Sequence, residues 1–186
     1  MVITPTLKIV QAGDPVLREK AHPLTLEQLQ SGEVRNLIDL MRDTMRGAPG
    51  VGLAAPQVGV GLQVAVIEDR ADLLEQMPAE LMARQKRRPV PFRVIVNPKL
   101  TLIGEPVEFF EGCLSVSGFM AVVPRAESVR VECWDEHGEP QVIEAEGWYA
   151  RILQHEIDHL DGTLYLDRMY TRSFMTEEYY RRGYSH

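Results

Sequence analysis

The apolar residues Val34, Leu37, Ile38, Met41 and Met45 recur at steps of three and four and stop before Gly47. That spacing predicts an amphipathic helix of about three turns with a glycine C-cap, its methionines serving as core filler. The period then changes. β-Branched and aromatic runs at 63–68, 92–96, 107–110, 128–134 and 141–145 alternate with stretches such as "NPKL", "IGEP" and "EHGEP". They predict strands separated by Gly/Pro turns. A second helical period runs through Trp148, Ile152, Leu153, Ile157 and Leu160 and ends at Gly162. The pattern predicts an α+β fold, with mostly antiparallel strands packed around a central C-terminal helix.

The chain shows no internal repeat, and 186 residues with 45% apolar and 25% charged content suit one globular domain spanning 1–186. Residues 71–91, charged and punctuated by proline, read as a surface insertion whose basic run at 86–88 is a solvated face. Residues 172–186 read as a flexible C-terminal tail. A net charge of −7 argues against holding nucleic acid or anionic lipid by bulk electrostatics. No apolar run reaches the ~18 residues of a membrane span, and the first residues lack the features of a signal or transit peptide. A protein soluble in the compartment where it is made is expected. Two cysteines, Cys113 and Cys133, are too few for a disulfide framework and are expected as thiols.

The second predicted helix carries "QHEIDHLDG", residues 154–162. His155 and His159, four apart, fall on one helical face where two imidazoles can meet one ion, and Glu156 can reach a water on that ion. A hydrolytic site of this kind takes three protein ligands and leaves one position open. Several residues compete for the third place. Tyr165 stands where a metzincin would have its third histidine. Glu177 and Glu178 would give a thermolysin-like site, from a polar terminus. His137 lies in a turn pattern, and Cys133 in a strand pattern that suits a buried thiol. Cys113, in "EGCLS", follows a strand and has a glycine for close approach and a glutamate, Glu111, able to brace a nearby loop. A further stretch, "GVGLAAPQ" at 50–57, has small residues that admit a substrate backbone and ends in Gln57, whose amide can donate to a developing oxyanion. It lacks the lysine and spacing of a phosphate-binding loop.

Taken in order, "GVGLAAPQ", "EGCLS" and "QHEIDH" resemble the three signature motifs of the peptide deformylases, and the likeness extends from "LKIVQAGDPVLREKA" to "GTLYLDRM". "EGCLSVSGFMAVVPR" and "GWYARILQHE" are closer to the organellar and related bacterial branch. The resemblance implies that Cys113, His155 and His159 hold one divalent metal, Fe(II) in the cell, with zinc, nickel or cobalt as substitutes. It implies Glu156 as proton shuttle, and Gln57 with the backbone N–H of Leu114 as oxyanion donors. The implied reaction removes the formyl group from the formyl-methionine of a newly made chain, at the ribosome exit, and releases formate. Val51, Gly52, Gly112, Trp148, Arg151 and Ile152 are the expected substrate-binding residues. Ser117 and Met120 depart from a common proline and arginine, Met120 at the cost of a substrate-backbone contact, and Arg151 stands where many members are apolar, which points to a narrowed or polarised pocket rim. The implied location is the cytoplasm, or an organelle matrix for a processed chain. A zinc metalloprotease with a downstream glutamate ligand is the alternative.

Overall fold

Strand β2, Val64–Asp69, has Val64, Ala65, Val66 and Ile67 fully buried, because helices cover both of its faces. The computed structural model describes residues 6–183. Its elements in chain order are helices α1 (Leu26–Leu29) and α2 (Gly32–Arg46), strands β1 (Gly52–Ala54) and β2, helices α3 (Ala71–Leu74) and α4 (Ala79–Arg84), strands β3 (Val90–Cys113), β4 (Val116–Trp134) and β5 (Pro140–Glu146), helix α5 (Gly147–Leu160), strand β6 (Met175–Thr176) and helix α6 (Glu177–Gly183). The strands pair antiparallel in the order β1-β2-β3-β4-β5, with β6 paired to β4.

Period-two alternation divides β2 between two cores. Val64 and Val66 pack with Val34, Ile38, Met41 and Met45 of α2, whereas Ile67 packs with Ile152, Leu153 and Ile157 of α5. Each large side chain buried this way contributes roughly 1.5–3 kcal/mol. Helix α2 starts at Ser31, whose side chain accepts from the Val34 N–H, and ends at Gly47 in a right-handed conformation. The glycine is the C-cap, but its special backbone freedom is not used there.

Two expected turns are bulges instead. "NPKL" and "IGEP" lie inside the long β3 strand, where the register against β4 shifts between Val96 and Lys99 and between Ile103 and Pro106. Asn97 and Gly104 take positive φ at these places, and a bulge is where a strand tolerates proline. The three strand segments expected between 92 and 134 are therefore one continuous hairpin, β3–β4. Its tip carries Cys113.

Residues 71–91 contain two short helices, and their end is tied down. The Gln85 carbonyl accepts from the Trp148 N–H at 2.8 Å, and Arg87 forms a two-pronged pair with buried Asp69 at 2.7 and 3.1 Å. The basic run is thus only partly solvated: Lys86, half-exposed, meets Glu127 and Glu146. The expected tail also carries structure as far as 183. Met175 and Thr176 pair with Met120 and Phe119, Phe174 stacks on Phe119, and Tyr180 of α6 packs on Phe110. Aromatic contacts and strand pairing hold these residues; 184–186 lie outside the described residues.

Candidate metal centre

Helix α5 presents its ligands through its own period. Buried Leu153 and Ile157 face the sheet, while Ile152, His155 and Glu156 line a cleft bounded by β1 and the tip of the β3–β4 hairpin, and His159 is buried beneath it one turn on from His155. The helix ends at Leu160, and Gly162 follows at φ +73°, where a Cβ would lie 2.8 Å from the Arg18 carbonyl oxygen. Only glycine fits there.

At the hairpin tip Cys113 pairs with Val116 across a two-residue turn, directing Sγ at α5. Cys113 Sγ lies 3.3 Å from His159 Nε2, and the donor atoms of Cys113, His155 and His159 all lie within 4.8 Å of one another. Among the described residues no other such group of His, Cys, Asp and Glu occurs. The other candidates are elsewhere. Tyr165 is buried with its hydroxyl donating to the Phe119 carbonyl at 3.2 Å. His137 is exposed in its turn, and Cys133 is a buried thiol whose pKa burial raises to about 11. Glu177 reaches the cleft rim but pairs with Arg181, and Glu178 pairs with Arg182.

Glu111 fixes the orientation of His155. Its Oε2 meets His155 Nδ1 at 3.0 Å, which leaves Nε2 as that ring's donor toward Cys113 and His159. Burial alone would push the Glu111 carboxyl up, but Arg125 and His155 hold it well below the usual carboxylate range. Arg125 grips both Glu111 oxygens at 3.0 Å and also Asp158, which pairs in turn with Arg168. Burial opposes charge on His155, yet Cys113 and Glu111 raise its pKa well above normal; burial and the neighbouring His155 drive His159 well below.

Glu156 is 4% exposed, and burial, with Glu111 adding to it, pushes its carboxyl up to about 7. Its Oε2 and the Nδ1 of His159 are buried without a hydrogen-bond partner. One thiol, two imidazoles and an unpartnered buried carboxylate oxygen in one cleft fit a bound cation with an exchangeable water.

Gln57 approaches from the opposite wall. Its Oε1 accepts from the Ala54 N–H at 2.9 Å, so its amide nitrogen must face Cys113 Sγ and the Ser115 hydroxyl, at 3.5 and 3.3 Å. Val51, Gly52, Gly112, Leu114, Trp148, Ile152 and Arg151 all line the same cleft of about 650 Å³. Arg151 does not polarise a rim. It is 3% exposed and bonded to Glu111 and two backbone carbonyls, because the buried Glu111 carboxylate attracts it inward. Met120 lies at the cleft mouth beside β6, and Ser117 donates to Gln11 Oε1 at 2.9 Å.

Sequence reasoning missed Gln11, Ser115, Arg125 and Asp158 as parts of the site. Residues 10–12 bind it together: Val10 N–H donates to the Gln57 carbonyl, Ala12 N–H to the Ser115 carbonyl and the Gln11 amide to the Leu114 carbonyl. Only Asp158 had a local signal, as an acid at helical spacing from Gln154 and Arg151.

Residues 6–174 match the family model described as polypeptide deformylase. Peptide deformylase 3 of Streptomyces avermitilis is 54% identical over 92% of this chain and 75% of its own. Chloroplastic peptide deformylase 1A of Solanum lycopersicum is 50% identical over 91% of this chain; the match spans 62% of that relative's length. Among solved structures, a peptide deformylase from Synechococcus elongatus is similar at TM-score 0.76 and 38% identity, covering 92% of this chain and 82% of that one.

Proposed function

The chain belongs to the polypeptide deformylase family, whose members remove the N-formyl group from nascent polypeptides, and from that membership we propose that this chain hydrolyses formyl-methionyl ends at its Cys113–His155–His159 centre. The observation that carries the proposal is the convergence of that donor set with Glu156 and the fixed Gln57 amide in one cleft. A divalent cation held by the three side chains would supply a Lewis acid that brings the pKa of a water toward ~7 and polarises the formyl carbonyl.

The chain's own residues supply the remainder. Glu156 accepts a proton from the attacking water and later delivers it to the amine nitrogen as the C–N bond breaks. Formate and a free α-amine leave. The Gln57 amide and the Leu114 N–H donate to the oxygen on which negative charge develops, where one well-aimed donor is worth roughly 3 kcal/mol. Val51, Trp148 and Ile152 enclose the methionine side chain. Strand β1 is at the sheet edge, so the substrate backbone can add alongside Gly52 as a further strand. The location proposed is the cytoplasm, with an organelle matrix as the alternative; among the described residues no helix is long and apolar enough to cross a membrane.

For the metal we propose iron in the cell. The affinity order of such sites does not select it, so the choice rests on the family resemblance. One experiment tests reaction and metal together: formate release from a formyl-Met peptide by protein loaded anaerobically with Fe(II) or with zinc. The Fe(II) form is expected to turn over faster. No formate from either form would refute the reaction, and a faster zinc form would refute iron.

Gly52 offers a separate check. A Cβ there would lie 2.2 Å from Glu156 Oε1, closer than side chains approach. Gly52→Ala is expected to displace that carboxylate and cut turnover about 100-fold while the protein stays folded. Unchanged turnover would mean that the position of Glu156 is unimportant.

A further inference from the structure

Arg151 lies one helical turn before His155 on α5 and is 3% exposed. Its Nη1 donates to Glu111 Oε1 at 2.7 Å and to the Val123 carbonyl at 2.9 Å, and its Nη2 donates to the Val107 carbonyl at 2.6 Å. One guanidinium therefore joins α5 to both arms of the hairpin that carries Cys113. The same group lies 5.2 Å from the Phe109 ring centroid and 5.9 Å from that of Trp148. Arg84 sits over Phe109 at 5.8 Å and Arg87 over Trp148 at 5.0 Å. Cation and ring alternate through Arg84, Phe109, Arg151, Trp148 and Arg87.

Stability alone does not account for an arginine here. A buried ion pair gains little over an apolar filling of equal volume, and Arg125 already neutralises Glu111. What arginine adds is a planar fork with fixed donor directions. By holding Oε1 it leaves Oε2 of the same carboxylate directed at His155 Nδ1. Arg151 and Trp148 stand in the cleft wall with Ile152, and Phe109 backs the guanidinium from behind that wall.

We propose that Arg151 is a positioning and specificity-determining residue, which fixes Glu111 on His155 and, with Trp148, lines the pocket that takes the substrate's first side chain. This rests on the deformylase reading of the cleft. A guanidinium tethered to three acceptors beside the Trp148 ring holds that wall in place, which favours an unbranched side chain over a larger ring.

The test uses the full chain with Arg151→Met and Arg151→Lys. Formate release is measured on formyl-Met and formyl-Phe peptides, alongside the visible absorption of Co(II)-loaded protein and the thermal midpoint. Arg151→Met is expected to lower kcat about tenfold, as loss of a group supporting a metal ligand does. It should also shift the Co(II) bands and narrow the Met-over-Phe preference about tenfold. A lowered midpoint with wild-type kcat, bands and preference would reduce Arg151 to a structural residue and overturn the proposal. Should Arg151→Met fail to fold, Arg151→Lys decides: it keeps the charge but cannot span three acceptors, so the same changes are expected at smaller size, and wild-type bands and preference overturn the proposal. Absence of formate from the wild type would defeat the deformylase reading instead, and the Co(II) bands would still report the hold on His155.

Discussion

Glu156→Gln protein is expected to retain its metal and to release formate about 1000-fold more slowly than wild type, within the range seen when a positioned acid/base group is removed. The amide matches the carboxylate in size, so the cleft around Gly52 should not rearrange. What disappears is the ability to take a proton at one stage and return it at another. Metal content per chain and single-turnover formate release measure the two halves separately. Activity within tenfold of wild type would remove Glu156 from the chemistry. In metal-free protein the substitution also has a thermodynamic sign. Burial raises the Glu156 carboxyl from 4.5 to about 7. Folding therefore favours the protonated form, and this contribution is complete below about pH 4.5 and is lost as pH rises through about 7. A neutral amide escapes that loss, so the metal-free variant should unfold at a higher temperature than metal-free wild type at pH 8.

Cys113→Ala should do the opposite, and abolish metal retention. With the thiol gone, His155 and His159 alone remain of the three donors within 4.8 Å. Two imidazoles are one ligand short of a hydrolytic site. The expected loss of affinity exceeds the roughly 10–100-fold that changes behind the ligands cause. Elemental analysis after gel filtration, with the thermal midpoint as a check on folding, measures it. Stoichiometric metal in the variant would mean that another residue is the third ligand. Glu177, at the cleft rim, would then have to leave Arg181 to act as one.

Helix α5 was legible because its signals are local: apolar residues at helical spacing, two histidines four apart and a closing glycine. Helix α2 and strand β2 were legible for the same reason. The long hairpin was not. Pro98, Gly104 and Pro106 carry the marks of turns, and only pairing with β4 across the sheet converts those places into bulges. At the site, Cys113, His155, His159, Glu156 and Gln57 could be picked out as residue types suited to the chemistry. Their support could not, since Glu111 draws on Arg125 and Arg151, 14 and 40 residues away in sequence. The inward course of Arg151 follows from that buried carboxylate, and no local pattern predicts it.

The carbonyl of Gln85 meeting the first turn of α5 bears on how this sequence can change. A helix begins with backbone N–H groups that have no partner inside it, and no side chain caps this one. The connection between β2 and β3 does so with its backbone, and Gly147, at φ +60°, lets it come close: a Cβ there would lie 2.5 Å from that carbonyl oxygen. Exposed connections ordinarily absorb added or deleted residues at little cost. Here a change of length between α4 and Arg87 would move the cap, and with it the end of the helix that carries both histidines. Variation in this connection is therefore confined to changes that return Gln85 to the same place.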